Sequence, residues 1–292
     1  MPNTTLTLKV NKALADLTAE IKNNQLQIPS PPDLLIKVRA VIANKEKGLK
    51  NIVELVKLDP NISGRLIKVA NCALLPSRYQ ATDVKSAVSR LGASKVQSLV
   101  TSLIIAQNFM KYRTKNIQTY FDAAWQQSNN VAAINYVLAA KKTNIDPEHA
   151  LLAGIVHNIG VLPLVLRLNE IPLFKAQPEL FHKVANAVIP KLYPKAGKLI
   201  LDKWNFPKET VGIALSHTKI MRESTGIIDI NDITLISSEL NKLSDFTDVD
   251  VVPESLISSP TFLKLWDSWE DASNDLRRLR PEINDMKQDI SS

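Results

Sequence analysis

Apolar positions along this chain recur at intervals of three and four residues, and almost every run has the period of an α-helix. Ser30-Pro31 has the form of an N-cap followed by proline at the first helical position, with Leu34, Val38, Val41 and Ile42 striped behind it. Ile52, Leu55 and Val56 mark a second helix. Asp59-Pro60 opens a third by the same capping logic, carrying Ile62, Leu66, Val69 and Ala73 on one face. Val84, Ala87, Val88 and Leu91 form a fourth, closed by Gly92, and Ser94 opens a fifth with Val96, Leu99, Val100 and Leu103. A long helix is expected from about Gln118 to Lys141, and Asp146-Pro147 caps the helix that carries His157. Shorter pieces follow, punctuated by Pro163, Pro172, Pro178, Pro190, Pro194 and Pro207. No strand-like alternation of useful length occurs, so the expected fold is all-α.

The last seventy residues change character. Gly226 and the acidic segment Asp245 to Asp250 bracket a helix striped by Ile233, Ile236, Leu240 and Leu243. A further helix is expected from Ser259-Pro260, carrying Phe262, Leu265, Trp266 and Trp269, and the charged stretch Arg277 to Ser292 is expected to fray. Charge sharpens this division. Residues 61–120 hold nine Lys/Arg against the single acid Asp83, whereas residues 221–292 hold seven Lys/Arg against fifteen Asp/Glu. The acidic helices are therefore expected to fold back onto the helical unit that precedes them, driven by apolar burial and oriented by long-range attraction.

At 292 residues with 45% hydrophobic and 22% charged side chains, the composition is that of an ordinary globular protein. A single cysteine, Cys72, excludes an internal disulfide and suits a reducing compartment, and Met1 to Val10 lacks the apolar run of a signal peptide. Leu151 to Leu168 is the most apolar region, but His157, Asn158, Pro163 and Arg167 interrupt it. A cytoplasmic protein without a membrane span is the expectation. No GxxxxGK[ST], GxGxxG, CxxC or HExxH occurs, so no cofactor is expected.

One stretch has the outline of a metal site. Val156-His157-Asn158-Ile159-Gly160 resembles the His-Asp core of the HD phosphohydrolases with its carboxylate replaced by a neutral amide. Around it, Ile28-Pro29 with Pro32, Leu58-Asp59-Pro60-Asn61-Ile62, Arg65 through Ala73 with Asn71, and Ala87-Val88-Ser89-Arg90-Leu91-Gly92 resemble the N-terminal half of HDOD domains. Trp125-Gln126-Gln127-Ser128, Leu152 to Gly160, and Gly197 with Leu199, Trp204 and Pro207 resemble the second half. The resemblance implies an N-terminal multi-helix unit packed on an HD-like bundle over 26–222. A partly helical extension at 1–25 precedes it, and an acidic helical extension at 223–292 follows it. It further implies that Gln127 stands where the first metal-binding His would be, that Asn158 replaces the Asp, and that Ser216-His217 replaces a His-His pair. Asp232 and Glu239 are the available late carboxylates.

Each residue also has a plainer reading. Gln127 lies in line with Val131, Ile134 and Leu138, which favours an inward amide bonded to its neighbours. His157 is surrounded by Ala150, Ala153, Gly154 and Gly160, small residues that let helices approach and leave room for a hydrogen-bonded imidazole; His217 is its one plausible companion. His149 and His182 read as surface residues and Cys72 as small-residue packing. Asn71 reads as a tie to the loop Leu74 to Tyr79. With Gln127 and Asn158 in place of ligands, the resemblance implies a non-catalytic signalling scaffold that meets a partner protein in trans. The alternatives are a phosphohydrolase using His157, His217 and one late carboxylate, and nucleic-acid binding through the basic segment.

Overall fold

The computed structural model describes residues 2–44, 48–71, 80–112, 114, 116–223, 226–243 and 253–291. Cys72, the loop from Leu74 to Tyr79 and the acidic segment Asp245 to Asp250 lie outside the described residues. Helices α1 (Pro2–Lys22), α2 (Asp33–Ala43), α3 (Leu49–Lys57), α4 (Pro60–Ala70), α5 (Val84–Leu91) and α6 (Ala93–Lys111) come first. The central bundle is α7 (Gln118–Lys142), α8 (Pro147–Val156), α9 (Val161–Glu170), α10 (Pro172–Ala176), α11 (Pro178–Lys203), α12 (Lys208–Ser216) and α13 (Ile230–Leu240). The short α14 (Glu254–Ile257), a 3₁₀ turn at Phe262–Lys264 and the long α15 (Trp269–Ser291) complete the chain. The fold is all-α.

Several helix starts follow from their caps. The Asp59 carboxylate accepts from the amides of Asn61 and Ile62, and Pro60 supplies the preset φ of the first turn. Asp146 does the same for α8, and Asp83 forms a capping box with Ser86 on α5. Gly92 ends α5 at φ +80, a conformation that an L side chain rarely adopts. Helix α2 differs from the sequence expectation: it begins at Asp33, and its N-cap, Pro32, gives no side-chain bond. Helix α11 also differs, running unbroken through Pro190 and Pro194. Each proline removes one backbone bond, and packing of α11 against α9 and α12 outweighs that loss.

Helices α2 to α6 pack on one another, and α6 packs on α8, which joins this unit to the bundle. A second joint lies at the far end, where Arg39 of α2 donates to the carbonyls of Trp204 and Asn205 and lies 4.5 Å over the Phe206 ring. The bundle is closely packed where glycine permits it. A Cβ on Gly154 would lie 2.3 Å from the Ala132 Cα of α7, and one on Gly160 would lie 2.0 Å from the Tyr193 carbonyl of α11. Among the described residues, Pro147–Glu170 alone is long and apolar enough to cross a membrane; 78% of its apolar window is buried in the core as α8 and α9.

The C-terminal extension belongs to the same core. Most of helix α13 lies within it, with Ile233, Thr234, Leu235 and Ile236 at 0% exposure. Beyond it, Phe262, Leu265 and Trp266 are buried on the turn and the segment after it, not on a helix starting at Ser259. The stretch from Arg277 does not fray. Helix α15 buries Ala272, Leu276, Leu279, Ile283, Met286 and Ile290 against α7 and α4, an alternating spacing of four and three that makes one continuous seam. Two of its ion pairs run to α7: Lys141 to Glu282 at 2.9 Å and Lys142 to Asp275 at 2.5 Å.

Candidate functional site

The end of α8 and the end of α12 bring two histidines together. His157 and His217 meet edge to face with ring centroids 5.1 Å apart, and both are buried. Each ring is fixed by its own helix. His157 Nδ1 lies 2.6 Å from the Gly154 carbonyl, and His217 Nδ1 lies 2.8 Å from the Ile213 carbonyl. A carbonyl can only accept, so each Nδ1 carries the proton and each Nε2 presents a lone pair. On His217 that lone pair is taken: the Tyr193 hydroxyl of α11 donates to it at 2.7 Å. Burial dominates the electrostatics. It lowers His157 to about 3, with the neighbouring His217 adding to the effect against the Gly154 bond. His217 is lowered to about 4, and Tyr193 is pushed up to about 12 by burial and then by the charge of Glu239. All three groups are neutral across the ordinary pH range.

Asn158 is used just as fully. Its amide oxygen accepts from the Ser128 hydroxyl at 2.6 Å and its amide nitrogen donates to the Ala124 carbonyl at 2.8 Å, pinning the α8 end to α7. Gln127 departs from the expected buried amide. It is exposed on the wall of a cleft of about 810 Å³, because the bundle opens beside this first part of α7. His157 and Asn158 form the floor of that cleft. His182 departs from its surface reading too. It is half-buried in the cleft wall and stacked on Tyr120, whose hydroxyl bonds the His182 ring nitrogen and Asn186.

The late carboxylates are occupied elsewhere. Asp232 is fully buried, paired with Arg222 at 3.0 Å and Lys264 at 2.8 Å, and its carboxylate also accepts from the Asp229 amide in the α13 capping box. Glu239 pairs with Lys242 at 2.5 Å. Ser216 donates to the Asn231 side chain at 2.7 Å. The other motif residues do structural work. Asn71, at the end of α4, bonds both backbone groups of Ala81 and accepts from Arg90, so its tie reaches just past the expected loop. Asp59 accepts from Gln107 of α6 as well as capping α4, and Trp125 is buried in the core.

The motif spacing and this bundle agree with a comparison to known families: a model described as the HDOD domain matches residues 28–220. The chain belongs to the HDOD family. Solved structures share this HDOD fold. One from Shewanella amazonensis, provisionally named a metal-dependent phosphohydrolase, is 23% identical and aligns with a TM-score of 0.73 over 96% of this chain and 99% of its own. An HDOD domain protein of unknown function from Geobacter sulfurreducens is 15% identical at a TM-score of 0.65, covering 100% and 99%. At these identities the likeness establishes the fold. An uncharacterised protein of Treponema pallidum is 22% identical over 86% of this chain, which spans about half, 49%, of that relative.

The metal centre that the HD resemblance implies does not fit these residues. Asn158 spends its amide on α7, His217 Nε2 is capped by Tyr193, and both late carboxylates are in ion pairs. Among the described residues no three of His, Cys, Asp and Glu gather as a metal cluster. Divalent transition metals are commonly held by at least three protein ligands, and hard cations require anionic oxygen. Sequence reasoning missed Tyr193 and Tyr120. The signal for Tyr193 was spacing along α11, where His182, Asn186, Ile189 and Tyr193 lie three or four apart on one face of a helix that two prolines made unreadable as continuous; Tyr120, at the start of α7, had no such signal.

Proposed function

We propose that this HDOD chain is a non-catalytic signalling protein, a scaffold that acts on a partner protein in trans. The observation that carries the reading is the Tyr193 hydroxyl on His217 Nε2, which puts a phenol where a metal ion would need the lone pair. Asn158 supports it by using both ends of its amide within the fold. A structural relative from Marinobacter aquaeolei, provisionally named a signal transduction protein, is consistent with that role. The basic segment is spread over α4, α5 and α6, and Lys95 within it is paired with the buried Glu148 at 3.1 Å, which argues for a solvated or structural face over a nucleic-acid track. The test is elemental analysis after incubation with manganese, iron or zinc, followed by turnover assays with nucleotides, cyclic dinucleotides and an aryl phosphate. Substoichiometric metal and no turnover are expected. One equivalent of metal, lost together with activity in His157→Ala, defeats the reading.

A further inference from the structure

A cleft of about 810 Å³ whose metal chemistry is spent is sized for a molecule, within the range of small-ligand sites. Its walls sort by chemistry. Ala124, Val161, Ala185 and Ile189 are apolar. The Tyr120 and His182 rings lie nearly parallel, 12° apart with centroids 5.7 Å from one another, and offer an aromatic ledge. Thr119, Gln127, Ser238 and Asn241 bring side chains that can both donate and accept, and His157 adds a pure acceptor. His157 is 3% exposed, its Nδ1 is committed to Gly154, and Nε2 is the open position of a ring on the cleft floor. Pro190 has no N–H for the Asn186 carbonyl, and Pro194 has none for the Pro190 carbonyl, so two residues of the wall carry backbone acceptors without their usual helical donor.

Charge narrows the ligand further. Among the described residues Lys242 is the one cation lining the cleft, it is paired with Glu239, and no carboxylate lines it. Among those residues a polyphosphate would meet a single ammonium that already has a partner, and a cation would meet no counter-charge. Burial of an uncharged ring costs neither of these penalties.

We propose that this cleft binds a small, uncharged, planar heteroaromatic molecule whose ring N–H donates to His157 Nε2 while its face packs on the Tyr120–His182 ledge. The proposal rests on the non-catalytic reading, since a metal on His157 would take the same lone pair. An acceptor on the cleft floor that meets no protein donor is an incomplete hydrogen bond, and an N–H ligand completes it; a ligand of the same shape without the N–H displaces water from His157 and gives nothing in return.

Indole and 1-methylindole differ in that one hydrogen, and titrating each into the full chain by calorimetry or saturation-transfer NMR tests the proposal. Indole should bind saturably, with 1-methylindole at least tenfold weaker. His157→Phe should remove the discrimination. Ala123→Trp, at an exposed position on the cleft wall where the core is undisturbed, should weaken both probes at least tenfold. Equal affinity for the two probes, binding that survives Ala123→Trp, or no binding at millimolar concentration overturns the proposal. Metal content and turnover are measured on the same preparation: stoichiometric metal with turnover overturns the non-catalytic reading, whereas inert, metal-free protein that ignores indole overturns the ligand alone.

Discussion

Two of the polar centres inside this bundle solve burial in opposite ways. Around His157 and His217 every group is neutral: imidazoles stripped of their second proton, an amide and a phenol, joined by single hydrogen bonds beside an open cleft. Around Asp232 the groups are ionic: a fully buried carboxylate is clamped between Arg222 and Lys264, with the Asp229 amide and the Thr261 hydroxyl alongside. The ionic centre ties Arg222, just before the C-terminal extension, to Asp232 and Lys264 within it. The neutral centre borders a cavity. A buried charge has to be satisfied completely or it destabilises the fold, whereas neutral groups can face a cavity at modest cost.

Acid is the strongest way to separate the two. Folding holds His157 at about 3 and His217 at about 4, against 6.5 for the ordinary side chain. A base whose pKa is depressed by folding stabilises the fold fully above its unfolded pKa, and loses that contribution as pH falls through the window toward the folded value. Between pH 7 and about 4.5, before most carboxylates titrate, the two rings should together remove on the order of 5 kcal/mol. Urea unfolding at the two pH values measures it, and His157→Phe combined with His217→Phe should flatten the dependence. A stability unchanged over that interval would mean that the rings are not buried as neutral bases.

Asp232→Ala attacks the other centre. It leaves Arg222 and Lys264, whose side chains are 18% and 11% exposed, without their shared partner, and should cost about 3–5 kcal/mol. Hydrogen exchange should quicken in the turn at Phe262–Lys264. A loss below 1 kcal/mol would show that the clamp is dispensable.

Asn158→Asp ranks next. The carboxylate can still accept from Ser128, but it cannot donate to Ala124 and brings an oxygen against that carbonyl. A loss of roughly 2–3 kcal/mol at neutral pH is expected, with no metal-dependent phosphatase activity; new turnover would contradict the reading of the site. The mildest change is Tyr193→Phe, which uncaps His217 at a cost of about 1 kcal/mol. Zinc content after incubation should stay substoichiometric, because two imidazoles remain short of a ligand set.

Much of the fold was legible because helix starts are local. Asp59-Pro60 and Asp146-Pro147 carry their caps within four residues, and the structure places α4 and α8 where those caps predict. Three misreadings share one cause: a neighbour distant in sequence overrode the local signal. Charge density hid the seam of α15, whose apolar residues bury only because α7 lies opposite. Pro190 and Pro194 suggested breaks that packing against α9 and α12 suppresses. Gln127 shares an inward line with Val131 and Ile134, but no periodicity reveals that the line opens into a cleft. At the site, the pairing of His157 with His217 could be guessed, whereas the Tyr193 cap and the Asp232 clamp depend on contacts that only the folded chain makes.

The seam on α15 also bears on how such a domain can be moved between proteins. The family match stops at residue 220, yet the shared hydrophobic core continues through Ile233 and Leu276 to Ile290. A graft or fusion cut at the edge of the recognisable motif would strip α13 and α15 from α7 and leave that helix with two bare apolar faces. The transplantable unit is longer than the one its motifs announce, and a junction that respects it belongs after the last turn of α15.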